Sequence, residues 1–148
     1  GFRDTIKGHP QYKIVEEKES AAEFEIAMKV MEKIIYEKKN YDVVMGGNDP
    51  IALGCIAAMQ MTDKTDQVMV YGVDGSPDGK AMIKAGFLEG TAAQSPIKIG
   101  EKAVQTAYSY LAGETVKKHV TIPVELITAD NLKVLRHDRM AIMKKIIV

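Results

Sequence analysis

Residues 68–79, VMVYGVDGSPDG, restrict the fold more than any other stretch of this chain. An unbroken apolar run leads into an Asp-Gly-Ser-Pro-Asp-Gly corner, after which an amphipathic segment begins. A strand without polar alternation is buried on both faces, the habit of parallel sheets flanked by helices. Asp74 falls where that strand ends, and open α/β sheets bind ligands outside the carboxyl ends of their strands. Two readings of Asp74 stand side by side. Asp-Gly is a common turn pair that shapes a corner by itself, and a carboxylate at that edge is also placed to meet a ligand.

The rest of the chain alternates in the same way. Residues 2–7 read as the end of a helix closed by Gly8-His9-Pro10. Residues 12–15 read as a short strand. Ser20, with Glu23 three positions on, has the capping-box pattern. Residues 21–39 then carry Phe24, Ala27, Met28, Met31, Ile34 and Ile35 at helical spacing, which places Phe24 in a buried stripe. Residues 42–45 form the next strand, ending at Gly46-Gly47. Asp49 is the expected cap of the following helix and Pro50 its first residue, with the helix running to about Met61.

A polar loop over 62–67 enters the opening strand. After the Asp74 corner, 78–85 is a short helix stopped by Gly86, and 87–93 is a strand. A long helix follows over 97–111, then a connector and a last strand over 124–128. Residues 132–148 form a basic and apolar tail. Strands alternating with helices of crossover length predict an open, mostly parallel α/β sheet with helices on both faces.

Three strand ends deliver polar side chains: Asn48, Asp74 and Gln94. Asp accepts hydrogen bonds, while Asn and Gln both donate and accept. Carboxyl ends of parallel strands share one edge, so the three can converge on one ligand. A sugar suits them, because each hydroxyl also donates and accepts. No metal or other cofactor is required.

The motifs NDPIALG (48–54), GVDGSPDG (72–79) and GFLEGTAAQSPIKIG (86–100) occur in order and at matching spacing. In them the chain resembles the C-terminal half of ribose-binding-protein-like periplasmic sugar receptors, the type I periplasmic binding proteins of ABC importers. The resemblance extends from Gly1 to about Asn131. It implies a flavodoxin-like lobe of a two-lobed receptor that closes on a pentose or related monosaccharide, with an ABC permease as its partner. It also implies that Asn48, Asp74 and Gln94 bind sugar hydroxyls, and that the protein works in the periplasm or elsewhere outside the cytoplasm, with lipid anchoring of a full-length precursor as a variant.

Two departures bear on the ligand. Ala22 stands where the family commonly has a ring-stacking aromatic, and the arginine that precedes the family's Gly-Phe has no counterpart, since the chain starts at that Gly-Phe. Losing the aromatic puts ribose itself in doubt. Val73 replaces a common phenylalanine.

The resemblance further implies a division of the chain. Residues 1–94 with 124–131 would form the sugar-binding lobe, and 95–123 would hold a crossover helix that packs on an N-terminal lobe whose strands are not in this chain. The face of that helix carrying Ile99, Ala103, Ala107, Tyr110 and Leu111 would then lack cover and favour self-association. The chain is expected to be a truncated piece with half a site and weak sugar affinity. Two alternatives share the fold: the effector-binding half of a LacI-type transcription regulator, and a sugar-sensing domain joined to a signalling module.

Composition narrows the rest. Lys+Arg and Asp+Glu each total 20, and without a basic excess no nucleic-acid partner is expected. The single cysteine, Cys55, excludes an intrachain disulfide and reads as a small buried hydrophobe. His9, His119 and His137 are scattered, and no Ser-His-Asp, Cys-His or metal-ligand grouping suggests itself, so no enzyme is expected.

Overall fold

The computed structural model describes residues 1–62 and 68–132; the tail beyond Leu132, with its Asp138 and His137, and the loop residues Asp63 and Asp66 lie outside the described residues. Within them, the elements in chain order are α1 (Phe2–Ile6), α2 (Phe24–Tyr36), β1 (Val43–Met45), α3 (Asp49–Gln60), β2 (Met69–Asp74), α4 (Pro77–Ala85), β3 (Gly90–Ala93), α5 (Pro96–Leu111) and β4 (Glu125–Thr128). The sheet runs β1-β2-β3-β4. The first three strands are parallel, and β4 closes the edge antiparallel to β3.

The apolar run of the opening stretch is β2, in the middle of the parallel trio. Its register, Val44 opposite Val70 and Gly72 opposite Thr91, brings the carboxyl ends of three strands to one edge. The crossovers β1-α3-β2 and β2-α4-β3 step in the same direction. Crossovers of one hand stepping one way put both helices on the same face. Val70, Gly72 and Thr91 accordingly point into the core, while Val43, Met45, Met69 and Leu126 on the opposite face are exposed. The expected open, mostly parallel α/β sheet is present; helices were expected on both faces, whereas among the described residues α3 and α4 form a helical layer on one face and the other face is left exposed.

α3 carries the core. Ala52, Cys55, Ile56, Ala58 and Met59 are all buried, between the sheet on one side and Ala27 and Met31 of α2 on the other. A helix that is apolar nearly all round is one that is covered all round. Each large side chain fully buried here contributes about 1.5–3 kcal/mol. Close approach of α2 and α3 requires Gly54: a Cβ there would overlap the Phe24 carbonyl oxygen and stand 3.0 Å from the Met28 nitrogen.

Several local expectations are corrected. Residues 12–15 are not a strand: they have no ladder partner among the described residues, and Tyr12, Ile14 and Val15 are exposed. Ser20 does not cap α2. Its carbonyl accepts from the Glu23 amide at 2.9 Å, Ala21 and Ala22 both take positive φ (49° and 61°), and α2 starts only at Phe24 with Glu23 at its N-cap. Phe24 is 42% exposed and outside the core: it shares the helical stripe of Ala27 and Met31 but is the first residue of α2, at the end of that stripe. Asn48, and not Asp49, caps α3, its Oδ1 accepting the Ile51 amide at 2.9 Å. Asp49 is withdrawn into the interior.

α4 starts one residue earlier than expected, at Pro77, with the Ser76 hydroxyl accepting from the Gly79 amide at 2.9 Å; Gly86 closes the helix as expected, at φ 78°. α5 differs from every other long helix, since none of its residues is buried. Ile97, Val104, Tyr108 and Leu111 stand in the open, as do Ile99 and Tyr110. No helix among the described residues is long and apolar enough to cross a membrane.

Candidate functional site

Each of the three parallel strands ends in a loop that presents one of the polar residues singled out above. Asp74 is the last residue of β2, half-buried, with φ at 120°. That backbone value is rare for any residue except glycine and persists only where surrounding structure imposes it. Gln94 follows β3 and is exposed. The two meet: Gln94 Nε2 donates to Asp74 Oδ1 at 2.8 Å, and the Gln94 amide donates to the Asp74 carbonyl at 3.1 Å.

One carboxylate oxygen of Asp74 is thereby oriented. The other, together with the Oε1 of Gln94, has no partner among the described residues. A carboxylate oxygen held in this way is a strong acceptor for a ligand hydroxyl, since bonds with one charged partner are about twice as strong as neutral ones.

Asn48 reaches the same edge by a different route. Gly46 and Gly47 follow β1, and the Gly46 amide donates to the Tyr71 carbonyl at 2.8 Å, which holds the turn against β2. A Cβ on Gly46 would lie 2.8 Å from the Ala52 nitrogen, so only glycine fits there. The Asn48 side chain caps α3 through Oδ1, and its Nδ2 donates to the Ala22 carbonyl at 3.1 Å. It touches neither Asp74 nor Gln94. Its second Nδ2 hydrogen is without a partner among the described residues, so it can still donate once.

Behind this edge lies Asp49, fully buried. Its Oδ2 accepts the Ser76 amide at 2.7 Å and its Oδ1 accepts the Thr91 hydroxyl at 2.6 Å. Burying a carboxylate without such partners costs several kcal/mol. The Thr91 oxygen in turn accepts the Gly75 amide at 3.1 Å. Sequence reasoning missed this group. Its trace was Thr91 among the small residues of β3, a polar side chain in a strand that has to be buried.

The described residues contain no group of three or more His, Cys, Asp or Glu able to hold a metal ion. The edge offers hydrogen-bond donors and acceptors from Asn48, Asp74 and Gln94.

Comparison with known proteins identifies a family. Residues 1–115 match the periplasmic binding protein domain. This chain belongs to that family. The ribose import binding protein of Salmonella typhimurium is 32% identical over 127 residues, which cover 86% of this chain and 42% of that protein. The D-ribose/D-allose-binding protein of Pseudomonas aeruginosa is 33% identical over 133 residues, covering 87% and 41%.

Among solved structures, an ABC transporter solute binding protein from Bacillus halodurans with bound myo-inositol superposes with a TM-score of 0.80 at 30% identity, over 88% of this chain and 45% of that one. Another, from Agrobacterium vitis with bound D-fucose, gives 0.79 at 28% identity over 89% and 46%. The chain thus spans less than half the length of these relatives.

Proposed function

We propose that this chain is the ligand-binding half of a solute-binding component of an ABC sugar importer, acting outside the cytoplasm and without catalysis. Its ligand is a monosaccharide whose hydroxyls are held at the carboxyl edge of the sheet by Asp74, Gln94 and Asn48. The observation that carries this reading is the Asp74–Gln94 pair, a carboxylate oriented by a bond of 2.8 Å at the end of β2, its second oxygen without a partner among the described residues. Sugar-named relatives and structures with bound sugars support the ligand class, and relatives named as import binding proteins favour a transporter over a regulator.

Residues 1–94 with 124–131 form one lobe in this reading. β4 supports it by pairing with β3, with Thr91 opposite Ile127. Residues 95–123 belong to a second lobe that covers α5, which agrees with the absence of buried residues on that helix. A permease is the further partner of the whole receptor.

The test is a titration of the 148-residue chain with D-ribose, D-allose, D-fucose and myo-inositol, followed by amide chemical shifts. A half-site is expected to bind in the millimolar range, about 4 kcal/mol. Saturable shifts should appear at Asn48, Gly75 and Gln94. Unchanged shifts with all four compounds, or shifts confined to another face, contradict the reading.

A further inference from the structure

Asp49 has a job that helix capping does not explain. It occupies the first turn of α3, next to Asn48, yet it turns away from solvent to reach the loop after β2 and the strand β3. Two successive amides beyond Asp74 end on it. The Ser76 amide donates to Oδ2 directly, and the Gly75 amide donates to the Thr91 hydroxyl oxygen, whose own hydrogen goes to Oδ1. We propose that Asp49 is the positioning residue of the binding edge, fixing the Gly75–Ser76 corner and through it the aim of the Asp74 carboxylate. What the corner holds rests on the sugar-binding reading; the positioning itself does not.

The hydrogen-bond inventory requires a carboxylate at position 49. A threonine hydroxyl has one hydrogen to give. With the Gly75 amide already donating to it, that hydrogen must go to an acceptor, and the Ser76 amide needs an acceptor too. An asparagine in place of Asp49 would present an NH2 to one of them. Either the Ser76 amide would face a donor, or the Thr91 hydrogen would lose its acceptor.

Space around Asp49 is reserved in the same sense. A Cβ on Gly72 would overlap Oδ1, and a Cβ on Gly79 would come within 2.7 Å of Cγ. Two glycines of the GVDGSPDG motif are therefore explained by the buried carboxylate. The strained φ of 120° at Asp74 needs an outside constraint, and the two tethered amides that follow it supply one. One buried group therefore links the loops that carry Asn48 and Asp74 with the strand that leads to Gln94.

The experiment compares wild type, Asp49→Asn, Thr91→Val and Thr91→Ser by residue-resolved amide exchange, with the Ile56 amide of α3 as internal reference. Thr91→Val, nearly the same shape, should speed Gly75 exchange about tenfold or more relative to Ile56 while sparing Ser76, and Thr91→Ser should restore it. Asp49→Asn should speed Ser76 as well. If Thr91→Val leaves Gly75 unchanged, or if every amide loosens equally with Ile56, the positioning role is overturned; this holds even if Asp49→Asn does not fold.

Sugar titration separates the two readings. If wild type binds a sugar and Thr91→Val binds it equally well, positioning fails and sugar binding stands. If no sugar binds but the amides respond as stated, the sugar reading fails and the positioning stands.

Discussion

Gln94 Nε2 lies 2.8 Å from Asp74 Oδ1, joining the ends of two adjacent parallel strands through their side chains. The bond sits at the surface, so its worth to folding is small, about 1 kcal/mol. Its effect on recognition is larger, because it leaves one carboxylate oxygen in a fixed direction and one open. Replacing Gln94 with Ala should change stability to denaturant by no more than that amount, while weakening sugar binding several-fold. A chemical denaturation curve beside a sugar titration checks both halves of the statement.

Gly54 sits where α2 and α3 come closest. A methyl group there meets the backbone of Phe24 and Met28, which cannot move aside as a flexible side chain can. Gly54→Ala should therefore destabilise the chain by about 1–3 kcal/mol, the usual cost of overpacking, despite the better helix propensity of alanine. Urea unfolding of the two proteins decides it.

α5 should behave as a helix without a core. With none of its 16 residues buried, it has only its own hydrogen bonds, and isolated helices of this length are marginal in water. Amides of Val104 to Tyr110 should exchange much faster than those of Cys55 to Met59 in α3. Val104→Lys with Leu111→Lys should change stability by less than about 0.5 kcal/mol. The same pair should reduce self-association measured by sedimentation, since it breaks an exposed apolar stripe.

Burial pushes the Cys55 thiol up from the ordinary 9.0 to about 11. The thiol should be inert to iodoacetamide near neutral pH until the chain unfolds. Because the folded state holds this proton more tightly than the unfolded one, the contribution to stability is complete below pH 9.0 and is lost as pH rises through about 11. Wild type should therefore lose stability over that interval relative to Cys55→Ala, as followed by thermal melts at a series of pH values. Equal slopes for both proteins would contradict the burial of this group.

The order of elements was legible because apolar runs and turn residues alternate clearly along the chain, and Gly86 marks the end of α4. Asn48, Asp74 and Gln94 could be placed on one edge for the same reason: each lies at or shortly beyond the end of a parallel strand. What could not be read were choices made by tertiary partners. Asn48 and Asp49 are equally good caps in sequence, and only Ser76 and Thr91, 27 and 42 residues away, decide that Asp49 goes inside.

The strand expected over 12–15 has the right residues and, among the described residues, no neighbour to pair with. The Ser20 pattern lost to the loop that offers the Ala22 carbonyl to Asn48. Strand signals report propensity, and pairing depends on what else is beside the strand.

The most direct test of the account is the dissociation constant of the best-bound sugar for wild type and for Asp74→Ala. Losing a bond to a charged group costs about 1.5–3 kcal/mol, so affinity should fall at least about tenfold while the melting temperature stays close to that of wild type. An Asp74→Ala protein that keeps its fold and binds the sugar within about twofold of wild type would contradict the assignment of this edge.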